Sequence, residues 1–484
     1  MKLSEILKNI EVLEIHGDIN VEITRITADS REVELNSLFV ATKGLKNDAH
    51  NFIPDTIKKG VKAIIYSDDC PQNEGVCRIK VTDTKIALAL AAANFYDNPS
   101  KKLKIIGVTG TNGKTTIATS LYNLFTKLGY KCGLLSTVRN IINETVFKTM
   151  FTTPRAVELN QLFAKMVAEN CEFCFMEVSS HAIEQHRTYN VDFDGAIFTN
   201  ITHDHLDFHQ TFKNYLDAKK RLFDNLKPEA FALTNIDDKN GSVMIQNSKK
   251  NYSYSLSTIA DFKAKVIETH FDSTLVSFNN KELWLQFVGK YNVYNLLAVY
   301  AVANLLLPDR NQQITEAIST LKPVVGRFDV IKENGIFAVV DYAHTPDALE
   351  NILKEMFDIR IDNQRIISVV GAGGDRDKTK RPKMAAVASF YSDILILTSD
   401  NPRSENPEDI LNDMQKGIET KHDFLRITDR RQAIKTAVKM AKAGDIILIA
   451  GKGHETYQEI NGIRHHFDDK EEVSKFLNEL KNKY

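Results

Sequence analysis

The chain has 484 residues, 43% of them hydrophobic and 26% charged, with a formal net charge of −1. That length suits about three globular domains at roughly 150 residues each, and the near-neutral charge gives no basic face for nucleic acid or an anionic membrane. No apolar run approaches a membrane span, the opening segment 1–8 is amphipathic rather than signal-like, and five scattered cysteines suit reduced thiols in the cytoplasm.

Residues 1–100 read as a mixed α/β unit. Alternating or apolar runs at 21–27, 37–42 and 63–66 predict strands, and 85–95 predicts a helix. The polar segments 27–31 and 44–50 are either ordinary turns or loops that grip a polar ligand. Asn98-Pro99 and the lysines after it mark a linker.

From about 103 to 321 strands and helices alternate, which predicts a mostly parallel sheet covered on both faces. The strand carrying Ile105, Ile106 and Val108 runs into Gly110-Thr111-Asn112-Gly113-Lys114-Thr115-Thr116, and a helical pattern follows over about 117–128. Strand, glycine loop, Lys-Thr and helix make a phosphate cradle, with backbone N–H groups facing the anion and Lys114 adding a point charge. Thr115 is placed to offer its hydroxyl to Mg²⁺. The earlier glycine is Gly107, one residue off the usual spacing.

Glu177 ends a second apolar strand, where a carboxylate is either a Mg²⁺ ligand or a solvated strand end. Cys171 and Cys174 have metal-site spacing but lack a second pair. Residues 198–209 then gather His203, Asp204, His205, Asp207 and His209. His203, His205 and Asp207 begin like a dinuclear zinc hydrolase motif, but Phe208 stands where that motif needs histidine. His205 is therefore read as a metal ligand or orienting group beside ATP-bound Mg²⁺. Lys219 lies one helical turn from Leu222 and Phe223 and is expected to be partly shielded, with Lys220 and Arg221 solvated. A lysine beside Mg²⁺ makes sense only if its charge is removed or reversed, for instance by carbamylation. Asn292 and Asn295, at a predicted strand-to-helix junction (287–298), suit N-capping or hydrogen bonding to an adenine edge.

In the last third, Gly326-Arg327 precedes a strand ending at Asp341. Strands over 365–370, 394–397 and 445–450 likewise empty into polar loops bearing Arg376, Asp400 and Arg403, and Glu455. In a parallel sheet such loops collect at the carboxyl edge, which is a binding face.

Taken together, the 110–116 loop, Thr152-Thr153-Pro154, Glu177 to His181, Asp204 to His209, Ala218 to Phe223, Asn292, Gly326-Arg327 and Asp341 to His344 resemble the Mur ligases, the ATP-dependent amide-forming family of peptidoglycan precursor synthesis. The resemblance covers essentially the whole chain. It implies an α/β fold of three domains: an N-terminal α/β UDP-binding domain (1–100), a central P-loop-type parallel-sheet ATPase domain (101–321) and a C-terminal Rossmann-like domain (322–484) that receives the amino acid. It also implies that Lys114, Lys219, His205 and Glu177 are catalytic. Gly110 to Thr116, Asn292, Arg327 and Asp341 would meet ATP. Ser30, the 45–47 loop, Thr152, Thr153, Ser179, Gln185 and Arg187 would meet the UDP-N-acetylmuramoyl dipeptide. Thr115, Glu177, His205 and carbamylated Lys219 would hold Mg²⁺. Asp400-Asn401-Pro402-Arg403 with Gly451 and Glu455, together with Arg376, narrows the resemblance to members that attach meso-diaminopimelate. Arginine forks suit that molecule's extra carboxylate and repel the bare ammonium end of lysine, the alternative substrate. The expected partners are these small molecules alone, for a monomer in the cytoplasm.

Overall fold

A computed structural model of the chain describes residues 1–44, 47–202, 204–361, 363–419 and 422–481, the side chains of Asp207 and Lys481 excepted. Among these residues the strands form a five-stranded, an eleven-stranded and a six-stranded sheet and one two-stranded hairpin. No helix among them is long and apolar enough to cross a membrane.

In the first sheet Val12–His16 runs antiparallel to Cys77–Val81, and Ala63–Tyr66, Ser37–Val40 and Arg25–Thr27 continue it in parallel. Only Arg25–Thr27 of the alternating run is strand. Ahead of it the backbone turns to the N-terminus, with Leu3 N donating to Val21 O (2.9 Å) and Ile23 N to Met1 O (2.8 Å). Helix Thr84–Phe95 starts where Asp83 accepts from Lys85 N and Ile86 N, satisfying two otherwise orphaned amides.

The eleven-stranded sheet has the phosphate-loop strand Lys104–Thr109 between Phe173–Glu177 and Phe193–Phe198, all parallel. These strands are almost entirely buried, as a parallel sheet with helices on both faces requires. Phe125 of helix Lys114–Lys127 packs on Phe173 and Phe175, with ring centroids 4.7 and 4.9 Å apart. The sheet is mostly parallel, as the alternating pattern predicts. Short antiparallel meanders extend it at both edges, Asn140–Ile142 with Thr145–Phe147 at one and Thr274–Phe278 with Lys281–Leu285 at the other. Register places Glu177 beside Val108 and Phe198 beside Thr109, so the segments leaving both neighbours flank the glycine loop. Residues 286–289 are not strand. Helix Lys290–Leu306 begins after Gly289, whose φ is +98°.

The six-stranded sheet is a parallel set, Ile336–Asp341, Ile446–Ala450, Ile366–Val370, Ile394–Leu397 and Phe424–Arg426, with Asp329–Glu333 antiparallel at one edge. Register aligns Asp341 with Ala450, Ala450 with Val370 and Val370 with Leu397. All four polar loops therefore leave the sheet at one level.

Beneath that edge Arg430 and Asp469 form a pair with neither side chain exposed. Arg430 Nε and Nη2 donate to Asp469 at 2.7 Å each, and Nη2 also reaches Ala450 O at 3.0 Å, tying the C-terminal helix Asp469–Lys481 to the strand end below Gly451. Replacing Asp469 by asparagine leaves a buried guanidinium without its counter-charge, a loss of about 3–5 kcal/mol. Scanning calorimetry is expected to show the C-terminal transition lowered by at least about 6 °C; an unchanged transition would contradict the assignment.

Candidate active site

The glycine loop is built around two left-handed positions. A Cβ on Gly110 (φ +153°) would lie 1.8 Å from Thr199 Oγ1, and one on Gly113 (φ +88°) 2.4 Å from Asn295 Oδ1, so neither tolerates a side chain. Helix Lys114–Lys127 begins three residues earlier than its apolar pattern suggested, directly after Gly113 and without a side-chain cap. Its first N–H groups are thus left to an anion. Thr111 N donates to Asn200 O at 2.8 Å and Asn112 N to Asn200 Oδ1 at 2.9 Å, which holds the loop on the segment after Phe198. Thr116 is buried within the helix.

Two ammonium groups converge on this loop. Lys114 Nζ donates to Gly110 O and Thr111 O at 2.9 Å each, and Lys219 Nζ donates to the same Gly110 O at 2.8 Å. Lys219 is 1% exposed and lies 4.7 Å from the Tyr215 ring centre. Burial pushes both amines below the usual lysine range, Lys219 farther, with Lys114 adding repulsion. Lys220, expected to be solvated, is buried as well and pairs with Asp224 at 2.5 Å. It follows Lys219 on an inward-turned face and finds a partner one turn on. Arg221 is half-buried and pairs with Glu184.

Across the loop, Glu177 is buried. Its Oε1 accepts from Thr115 Oγ1 (2.9 Å) and Thr137 N (2.7 Å), and its Oε2 from Thr137 Oγ1 (3.2 Å). The solvated strand-end reading of Glu177 is excluded. His205 adopts φ +54° and has its Nε2 3.4 Å from Asp204, with its ring 4.8 Å from that of His181. Crowding by the surrounding side chains lowers its pKa from the usual imidazole value, against the pull of the Asp204 carboxylate. His209 is a packed residue, its Nε2 2.9 Å from Ser180 Oγ. His203 and the side chain of Asp207 lie outside the described residues.

The five residues expected at the muramoyl end are contiguous. Thr137 Oγ1 donates to Thr152 Oγ1 at 3.1 Å, Thr153 Oγ1 to Glu177 O at 2.9 Å, and Ser179 N to Thr153 Oγ1 at 3.0 Å. Arg187 donates to Thr153 O (2.9 Å) and through Nη2 to Gln185 Oε1 (2.7 Å), with its guanidinium 4.9 Å from the Phe151 ring. Ser30 stands apart from this group, in the turn Ser30–Glu32 of the first sheet, where its carbonyl accepts from Lys59. Residues 45 and 46 lie outside the described residues.

The C-terminal lobe reaches the phosphate loop at two points. Asp341 accepts from Phe328 N (2.7 Å) and Ala343 N (2.8 Å), fixing the 326–328 turn. That turn directs Arg327 Nη2 to Thr115 Oγ1 at 3.4 Å, across the Tyr342 ring. Burial raises the Asp341 carboxyl. Asp347, which sequence reasoning did not single out, accepts from Asn112 Nδ2 at 2.9 Å and Thr202 Oγ1 at 3.2 Å. Asn292 does not cap the helix: its Nδ2 bonds Val288 O at 2.8 Å, and Asn295 Nδ2 bonds its Oδ1 at 3.3 Å.

At the neighbouring loops Asp400 and Asn401 are buried, and a Cβ on Gly451 would lie 2.4 Å from Asp400 Oδ2. Asn401 Nδ2 donates to Glu455 Oε2 at 2.7 Å. Pro402 packs its backbone against Gly374, and Arg403, at φ +52°, donates from Nη1 to Gly374 O at 2.6 Å. Arg376 is exposed on the same rim. Lys452 and Tyr457, hydrogen-bonded within this pocket, carried no signal in the sequence beyond standing near Glu455.

Family descriptions match the chain in order: "Mur ligase family, catalytic domain" at residues 22–96, "Mur ligase middle domain" at 108–303 and "Mur ligase, glutamate ligase domain" at 326–453. The chain is 52% identical over 477 residues to the UDP-N-acetylmuramoyl-L-alanyl-D-glutamate–2,6-diaminopimelate ligase of Bacteroides fragilis, covering 97% of this chain and 98% of that protein. It is 41% identical over 491 residues to the protein of that name from Clostridioides difficile, covering 99% and 100%. A solved structure of a ligase with this name is 33% identical and superposes with a TM-score of 0.71 over 99% of both chains. MurF ligase from Thermotoga maritima, solved with ADP, shares the fold at 20% identity, with a TM-score of 0.65 over 95% of this chain and 98% of that one. Agreement along the whole chain sets aside the zinc hydrolase reading of residues 203–207, and the chain belongs to the Mur ligase family.

Proposed function

We propose that this protein is an ATP-dependent ligase that joins meso-2,6-diaminopimelate to the D-glutamate of UDP-N-acetylmuramoyl-L-alanyl-D-glutamate, acting as a monomer in the cytoplasm. The observation that carries it is the identity of about half of all residues with named diaminopimelate ligases over nearly the whole chain, combined with an arginine-bearing loop at the amino-acid face. Domain boundaries are assigned at 100/101 and 321/322, between the three sheets.

A carboxylate is a poor electrophile, so ATP converts it to an acyl phosphate with release of ADP. The amine then attacks the acyl carbon, and the tetrahedral intermediate expels phosphate. Both partners of the first step are anions. Lys114, the 110–116 amides and the helix N-terminus neutralise the triphosphate and hold it in line. Asn292, through its bond to Asn295, sets the helix start that backs Gly113. Arg327 adds positive charge from the other lobe, and Asp341 holds it there. Arg187, Gln185, Ser179, Thr153 and Thr152 orient the acceptor carboxylate, and Ser30 with the 45–47 loop receives the uridine end. Arg376, Asp400, Asn401, Pro402, Arg403, Gly451 and Glu455 receive the amino acid.

The Thr115 hydroxyl lies 2.9 Å from the Glu177 carboxylate, a pair of hard oxygen donors that fits Mg²⁺. His205 and Lys219, the latter as a carbamate, would complete the set. When bound there, Mg²⁺ supplies charge neutralisation and polarisation of the phosphoryl oxygens.

Purified protein given ATP, Mg²⁺, the UDP-dipeptide and diaminopimelate is expected to release ADP and phosphate in step with amide. Amide without ADP, or ADP without amide when all reactants are present, would overturn the proposal.

A further inference from the structure

Lys452 has no exposed side-chain surface, yet all of its protons have acceptors. Its Nζ donates to Asn401 Oδ1 at 3.2 Å, to Glu455 Oε2 at 3.3 Å and to the carbonyl of Tyr457. Three donors meet three acceptors, so this buried ammonium is fully compensated.

The consequences reach both amino-acid loops. Asn401 Oδ1 also accepts from Glu459 N at 2.9 Å. With its oxygen so occupied, its amide nitrogen faces Glu455 Oε2, which it reaches at 2.7 Å. Gln458 Nε2 donates to Asp400 O at 2.7 Å and Arg403 N to Glu459 O at 3.0 Å. The hairpin Tyr457–Ile460 and Ile463–His466 is thereby joined to the 400–403 loop, with Lys452 at the junction. Glu455 Oε2 takes two donors, whereas among the described residues no hydrogen bond reaches its Oε1.

We infer that Lys452 is a positioning residue for the amino-acid substrate: by holding Asn401 and Oε2 of Glu455 it leaves Oε1 of that carboxylate aimed at the substrate's ammonium group. This rests on the ligase reading above. The charge balance points the same way. Glu455 faces Asp400 from the neighbouring loop, the hydroxyls of Tyr342 and Tyr457, the Arg430 guanidinium from the helix beneath, and Lys452 on its own loop. Burial and Asp400 raise its carboxyl, while Lys452 and Asn401 oppose the rise. Without Lys452 the carboxyl takes up a proton at higher pH and loses its attraction for an ammonium.

The test compares wild type with Lys452→Met. The KM for diaminopimelate is expected to rise at least about tenfold at pH 7, the KM for ATP to stay within about twofold, and the acid limb of kcat/KM for diaminopimelate to move up by about one pH unit. In a Glu455→Gln background, Lys452→Met is expected to add less than about twofold. Lys452→Gln, which keeps a donor without the charge, is the second variant and should move the acid limb equally. A pH-independent loss, an equal rise in both KM values, or full additivity with Glu455→Gln would overturn the inference. So would loss of cooperative melting in both variants, which would make Lys452 a folding residue. Calorimetric binding of diaminopimelate to the wild-type protein separates the two readings: binding without ligation overturns the ligase assignment and leaves the role of Lys452 measurable by affinity.

Discussion

Replacing Lys219 by alanine is expected to lower turnover by roughly 10³-fold or more, with partial recovery when short-chain carboxylic acids are added. Lys219 is fully enclosed, shares the Gly110 carbonyl with Lys114 and stands over the Tyr215 ring. Two ammonium groups on one carbonyl repel in a low-dielectric site, and a neutral amine is what burial favours. A neutral amine reacts with carbon dioxide to give a carbamate and release a proton; the carbamate replaces a repelled cation with an anion facing Lys114 and would supply an oxygen ligand for Mg²⁺. An added acid can place a carboxylate in the space the alanine leaves, which is why rescue discriminates. Loss of activity from misfolding would not respond to acetate or propionate. Full activity in Lys219→Ala would remove the proposed role, and loss without any rescue would reduce it to packing.

The second large effect is selectivity. The protein is expected to use diaminopimelate over lysine by at least about 10³-fold in kcat/KM, and Arg403→Ala is expected to narrow that ratio mainly by weakening diaminopimelate. Lysine and diaminopimelate differ by one carboxylate at the far end. Arg403 is held in a left-handed backbone conformation by bonds from its own N–H and to its own carbonyl, and one guanidinium nitrogen is engaged by Gly374 O. A guanidinium held in this way meets a carboxylate without losing further side-chain freedom. Against lysine the same group opposes an ammonium and keeps its own charge unpaired. Parallel assays of both amino acids with purified protein decide it: comparable kcat/KM for lysine would refute the assignment.

The elements that carry the candidate site were legible in the residue order because they depend on local patterns. Gly110 and Gly113 around Lys114-Thr115 specify a phosphate loop through backbone freedom alone, and the four strand-then-polar-loop units of the last third specify a parallel sheet edge. The expectations that failed were those decided by which partner the folded chain brings to a group, near or far in sequence. The 21–24 segment alternates like a strand but bonds to Met1 and Leu3. Lys220 is charged and follows Lys219, yet Asp224 makes its burial tolerable. Asn292 stands at a helix start but does not cap it, its amide group bonding Val288 and Asn295 instead.

Glycine spacing and apolar periodicity by themselves determined the strand, loop and helix around 110–116 and the parallel sheet edge of the last third, since these follow from backbone geometry and short-range pattern; the family came from the resemblance of whole motifs. Only the tertiary structure decided that Lys219 meets Lys114 on one carbonyl, that Asp347 and Arg327 join the third lobe to Asn112 of the glycine loop and Thr115 of the helix after it, and that Lys452 bonds Asn401 of the neighbouring loop. Those arrangements pair residues from about 50 to more than 200 positions apart, and a buried charge is stable only where the fold brings its partner to it.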